Sequence, residues 1–146
     1  LIQHDMDASP IYEKFVIPGL NIAEIKMDKE LQNWALNSLK RFTCSAGNPF
    51  GKVYKGLIAT GDKFVDDQKE MGFISKSFLE LKAFEMEGAS VSQVCFLESI
   101  PLLIIRVISD SADHSAASSF EEFIIEYNNK SWDLIRSLIL NIQDLS

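Results

Sequence analysis

The residues able to do chemistry cluster between Ala83 and Ser115, a stretch reading AFEMEGASVSQVCFLESIPLLIIRVISDSADHS. Glu85 and Glu87 stand at the start of a helical pattern, and Asp110 follows the apolar run Leu102 to Ile108, with Asp113 three residues further on. A carboxylate offers two kinds of chemistry. Ionised, it accepts charge-assisted hydrogen bonds from hydroxyls or amides; holding its proton, it serves as a general acid. Taken singly, Glu87 reads more readily as a first-turn carboxylate favoured by the helix dipole, and Asp110 as a capping or turn residue.

The elements that must position these groups point to an α/β protein. The run Leu102 to Ile108 is short and rich in β-branched residues, which fits a strand covered on both faces and is too short to cross a membrane. In layered sheets ligands gather beyond the carboxyl ends of strands, where Asp110 would lie. The helix before it carries Met86, Ala89, Val94 and Leu97, with Glu85 and Glu87 in its first turn and Gly88, Ala89 and Ser90 small enough for close approach to a sheet. Upstream, Val53 to Thr60 reads as a strand that leaves through Gly61-Asp62-Lys63-Phe64-Val65 into a charged helical segment opened by Asp66 and Asp67.

The remaining chain supplies supports. Leu1 and Ile2 read as the end of a strand, His4 to Ser9 as a polar turn and Ile11 to Pro18 as an apolar loop. Met27 to Phe42 forms an amphipathic helix with Leu31, Trp34, Ala35, Leu39 and Phe42 on one side and Asp28 as cap. Turn formers fill Thr43 to Gly51. Phe73 to Leu81 has no clear pattern. Ser109 to Ser119 is a long polar loop, and Phe120 opens a long helix capped by Ser119, with Phe123, Ile124, Tyr127, Leu134, Ile135, Leu138 and Ile142 forming its core stripe.

Composition narrows the partners. The chain has 146 residues, 47% of them hydrophobic, enough for the core of one domain or part of one. Fourteen Lys and Arg against 21 Asp and Glu leave a net charge of −7, which disfavours nucleic acid and anionic membranes as partners. Cys44 and Cys95 form no metal-binding pair and are expected as buried free thiols. His4, Asp5 and Asp7 lie close together but make a poor metal set, so no metal is expected. With no signal-peptide or membrane-spanning pattern, a soluble cytoplasmic protein is expected.

Two segments together carry a family resemblance. Phe84-Glu85-Met86-Glu87-Gly88-Ala89 followed by Ile108-Ser109-Asp110-Ser111-Ala112-Asp113 resembles the nucleoside phosphorylase superfamily, and within it the methylthioadenosine/S-adenosylhomocysteine nucleosidases. Leu57 to Val65 and His4-Asp5-Met6-Asp7 agree in order and spacing. The resemblance implies a three-layer α/β/α fold with a central twisted mixed sheet, of which residues 1–146 form the C-terminal portion of a nucleoside phosphorylase-like domain. It implies hydrolysis of the N-glycosidic bond of an adenine nucleoside thioether, no cofactor and a homodimer. A phosphate-dependent phosphorylase and a non-catalytic nucleoside-binding or dimerisation module are the alternatives.

Residue by residue, the resemblance makes Asp110 the proton donor to adenine N7, with Ser109 orienting it and Arg106 supporting the site. Burial beside Ile108 and Ala112 would help Asp110 keep its proton. Glu87 would accept the ribose 2′ and 3′ hydroxyls, with Glu85 beside it, and Met86 would pack against the sugar. Phe64 would lie on the adenine face while the Val65 main chain reads the base edge, and Phe120 would cover the alkylthio group. Ile11 and Pro18 would reach the neighbouring subunit's site. The family's water-activating carboxylate lies in the N-terminal part, so residues 1–146 alone are expected to bind purine and ribose without hydrolysing the nucleoside. Adenine release by the purified 146-residue chain checks this, and robust turnover would contradict it.

Overall fold

A computed structural model describes residues 1–44, 50–65, 67–109 and 116–145, which divide into two compact units. The first comprises Leu1–Met27 and Gly56–Ile104. Its centre is a parallel sheet of three strands in the order β1 (Ile2–Gln3), β2 (Leu57–Thr60) and β3 (Leu81–Glu85). Helix α1 (Lys29–Thr43) belongs to the other unit, whereas α2 (Gln68–Ser77) makes the crossover from β2 to β3 that a parallel pair requires. Ile2, Ala59 and Ile74 form the buried centre, with Leu57, Phe78, Leu81 and Phe84 packed against them. Asp67 starts α2 by accepting the Lys69 main-chain N–H at 2.8 Å, which satisfies one of the donors a helix leaves open.

Because the strands are parallel, the turns that leave β1, β2 and β3 lie at one edge of the sheet. There the His4 N–H donates to Thr60 O at 2.8 Å and the Gly61 N–H donates to Glu85 O at 3.1 Å, extending the ladder past the strand ends. The His4 side chain is 4% exposed and meets Phe84 edge-on, with ring centroids 5.7 Å apart. A Cβ on Gly61 would come within 2.6 Å of His4 Cε1, so only glycine lets the imidazole close over this turn.

The second unit comprises Asp28–Lys55 and Ile105–Ser146 and is built on α1 and α4 (Ala116–Leu140), ending in a short 3₁₀ turn at Ile142–Leu145. Asp28 caps α1 by accepting the Leu31 N–H at 2.9 Å, as its place before the apolar stripe predicts, and Ala35, Ser38 and Leu39 are the buried residues. Trp34 Nε1 donates to Asn141 O at 2.6 Å, and Arg41 pairs with Asp144 at 2.7 Å. Phe50 lies between Phe42 and Tyr127, and Tyr127 stacks on Phe123.

Several expectations need correction. Among the described residues Leu102 to Ile108 pairs with no neighbouring strand, and Ile108 is 60% exposed rather than covered. An apolar run is a strand only where a neighbouring chain segment takes up its ladder, and the described sheet consists of β1, β2 and β3 alone. Strand β2 begins at Leu57 rather than Val53, because β3 starts opposite it at Leu81. Helix α4 begins at Ala116, where two alanines favour helix, so Ser119 lies inside it and is no cap. Cys44 is exposed at the end of α1, past its buried face, and Cys95 is half-buried.

Burial lowers the His4 pKa, outweighing the opposing charges of Asp5 and Glu70, while Lys63 adds to the lowering. The folded protein therefore binds fewer protons here than the unfolded chain. Stability is undiminished above the ordinary histidine pKa and declines as pH falls below about 6.5 toward the folded value. Urea unfolding midpoints should drop between neutral pH and mildly acidic pH, and His4→Gln should flatten part of that slope; an unchanged slope would contradict the assignment.

Candidate functional site

The carboxyl ends of β2 and β3 bring several expected site residues to one edge of the first unit. Glu85 is the last residue of β3 and pairs in register with Thr60, the last residue of β2. Its carboxylate accepts the Gly88 N–H at 2.9 Å through both oxygens and the Glu87 N–H at 3.2 Å, while the Thr60 hydroxyl donates a short bond to Oε1. Helix α3 (Gly88–Leu97) thus starts without a cap from Glu87, the residue at its N-cap position; the preceding strand caps it instead. This differs from the expected placement of Glu85 inside the helical turn. The strand's geometry takes it to the end of β3, where its carboxylate meets N–H groups that a helix start leaves open.

Gly88 is required by the same contact. A Cβ there would lie 2.6 Å from Glu85 Oε1 and 2.7 Å from Leu1 Cδ1, so a side chain would push the carboxylate off the helix start. With Glu85 turned inward, Met86 and Glu87 emerge at the surface between β3 and α3 and are exposed. The sequence Glu-x-Glu-Gly therefore assigns its two carboxylates different tasks: Glu85 holds the backbone and Glu87 presents its side chain outward.

After β2, the turn Gly61–Val65 sends Phe64 outward, 57% exposed, and Val65 inward, 5% exposed. Asp5 Oδ2 accepts the Asp62 N–H at 2.7 Å from the turn after β1. Lys63 pairs with Glu70 of α2 at 2.6 Å. The turn is consequently tied down on both sides of Phe64's approach, one tie to β1's exit and one to α2. Sequence reasoning missed Thr60, His4 and Asp5 as members of this edge. The signal is the His-Asp pair placed directly after a strand end, part of the segment His4-Asp5-Met6-Asp7 that agrees with the family pattern without a role for either side chain.

Ser109 is half-buried and Arg106 exposed, both within the second unit. Asp110 lies outside the described residues, and Phe120 is within α4 with its side chain outside them. Ile11 and Pro18 are exposed in the first unit. Among the described residues no group of three His, Cys, Asp or Glu is placed to hold a metal ion, and no helix is long and apolar enough to cross a membrane.

Comparison with known proteins decides the family. Residues 1–140 match the phosphorylase superfamily. The chain belongs to that superfamily. Among curated superfamily members it is 35% identical over 144 residues to the 5'-methylthioadenosine/S-adenosylhomocysteine nucleosidase of Geobacillus sp. (strain WCH70), an alignment covering 98% of this chain and 59% of that protein. The crystal structure of the Neisseria meningitidis nucleosidase in complex with methylthio-immucillin-A superposes with a TM-score of 0.79 at 33% identity, over 94% of this chain and 57% of that one. The futalosine hydrolase of Helicobacter pylori superposes with a TM-score of 0.78 at 30% identity, over 94% of this chain and 56% of that one. The chain thus spans a little over half the length of these superfamily relatives, and they fix its fold as α/β.

Glu85→Ala would leave the donors of Gly88, Glu87 and Thr60 without their common acceptor and should destabilise the protein by about 1–3 kcal/mol, with Glu85→Gln retaining part of the loss. Urea denaturation checks this, and an Ala variant as stable as wild type would contradict it.

Proposed function

We propose that the chain forms the purine- and ribose-binding portion of an N-glycosyl hydrolase that cleaves 5'-methylthioadenosine and S-adenosylhomocysteine to adenine and a thioribose product. The observation carrying this reading is the two-carboxylate edge: Glu85 engaged with the start of α3, and Glu87 exposed beside it at the end of β3. The similarity to nucleosidases over 98% of the chain supports the choice of substrate class, as does the superposition on a relative crystallised with methylthio-immucillin-A.

Cleavage requires the ribose to become cationic and the adenine to leave with the bond electrons. In this proposal Glu87 accepts the ribose hydroxyls and its charge favours the developing cation, while Met86 packs on the sugar. Phe64 offers its ring to the adenine face and the Val65 main chain reads the base edge. Asp110 donates a proton to N7, Ser109 orients it, Arg106 supports it, and Phe120 covers the alkylthio group. Glu85 acts here through the backbone of Glu87. Ile11 and Pro18, exposed on the loop after β1, would meet a second subunit of a cytoplasmic homodimer. No cofactor enters the reaction.

A second reading, hydrolysis of futalosine, is supported by the superposition on the Helicobacter pylori enzyme, whose TM-score of 0.78 is close to the 0.79 of the Neisseria meningitidis nucleosidase. Release of the free purine base, adenine from methylthioadenosine and S-adenosylhomocysteine or hypoxanthine from futalosine, each with and without phosphate, separates these reactions and phosphorolysis. In the intact protein Asp110→Asn should lower kcat by about 10²–10⁴ while leaving much of substrate binding. Glu87→Gln should impair both kcat and KM. Equal and mild effects of the two changes would overturn the catalytic reading in favour of a binding module.

A further inference from the structure

The turn after β1 holds the turn after β2 through side chains that the proposed reaction does not use. Asp5 Oδ2 accepts the Asp62 N–H at 2.7 Å across 57 residues of sequence. Next to it, the His4 N–H donates to Thr60 O at 2.8 Å, and its buried imidazole fills the space that the missing side chain of Gly61 leaves. Two and three residues beyond Asp62 stand Phe64, exposed, and Val65, buried.

A main-chain group can read a base edge only if its position is fixed before the base arrives; otherwise ordering the loop opposes binding. The Asp5 bond is the tie nearest to that pair on the β1 side, and it is a charge-assisted bond to backbone, which fixes the chain whatever the side chain of Asp62 does. We propose that Asp5 is a positioning residue for adenine recognition, clamping the Gly61–Val65 turn so that Phe64 and Val65 are set for the base. This rests on the reading of that turn as the adenine site.

The clamp acts on binding of the base, not on bond cleavage. Asp5→Ala should therefore weaken adenine binding and raise KM by about tenfold with kcat retained, and Asp5→Asn, which keeps an acceptor oxygen, should restore most of the affinity. Selectivity for adenine over hypoxanthine should narrow in Asp5→Ala, because a loose turn no longer tells one base edge from the other. In the intact protein, calorimetric titration with adenine and hypoxanthine and steady-state kinetics read these effects. If Asp5→Ala does not fold, Asp5→Glu, which keeps the charge and shifts it by one methylene, takes its place with the same expected direction. An Asp5→Ala protein that binds adenine as tightly and selectively as wild type, or that loses kcat with KM unchanged, would overturn the proposal. A wild-type protein that binds no adenine would overturn the adenine site itself and the clamp with it, an outcome distinct from a wild type that binds and a variant that binds equally.

Discussion

One carboxylate sets the geometry of the functional edge. Glu85 ends a strand, and its side chain accepts the first open N–H groups of the following helix together with the hydroxyl that ends the neighbouring strand. These bonds join β2, β3 and α3 at one point. They also decide what the adjacent residues do. With Glu85 folded back onto Gly88, the chain passes Met86 and Glu87 outward before α3 begins, and that brings a second carboxylate to the surface two residues from the first. Gly88 belongs to the same constraint, since any side chain there would occupy the space of the Glu85 carboxylate.

The parallel sheet extends this arrangement sideways. Since β1, β2 and β3 run the same way, their exits share an edge, and the exits of β1 and β2 are fastened to one another by His4 and Asp5. A buried histidine over a glycine turn is a costly device: it removes an ionisable ring from water, which lowers its pKa, and its Nε2 meets no hydrogen-bonding partner among the described residues. What it provides is a rigid backing for the turn that carries Phe64. The sheet supplies the platform, and the fixed turns supply the specificity of what lies on it.

Much of this was legible in the sequence, for reasons that differ from element to element. Asp28 before an amphipathic stripe announced α1, and Asp67 before a charged segment announced α2, because capping is a local interaction that depends on a few neighbouring residues. The Phe84–Ala89 and Ile108–Asp113 segments together, with Leu57–Val65 in agreement, carried the family resemblance, since each is a short pattern of neighbouring residues. Pairing across the chain was not legible. Leu102 to Ile108 has the composition of a covered strand, yet a strand needs a neighbour, and composition cannot show whether one is there. Nor could the sequence reveal that Glu85 and Glu87, so alike in type, would part company. That depends on Thr60, which lies 25 residues earlier and meets Glu85 only once the sheet has formed. Asp5 was hidden for the same reason, its partner Asp62 lying 57 residues away.

The claim at the centre is that the exits of β2 and β3 form a platform for an adenine nucleoside. A crystal structure of the intact protein with a bound methylthioadenosine analogue tests it most directly. The account predicts the adenine ring against Phe64 with its edge on the Val65 main chain, and the ribose hydroxyls hydrogen-bonded to Glu87 while Glu85 keeps its bonds to Gly88. Electron density for the nucleoside at another surface, or a Glu85 carboxylate that leaves the helix start to bind the ribose in place of Glu87, would contradict it.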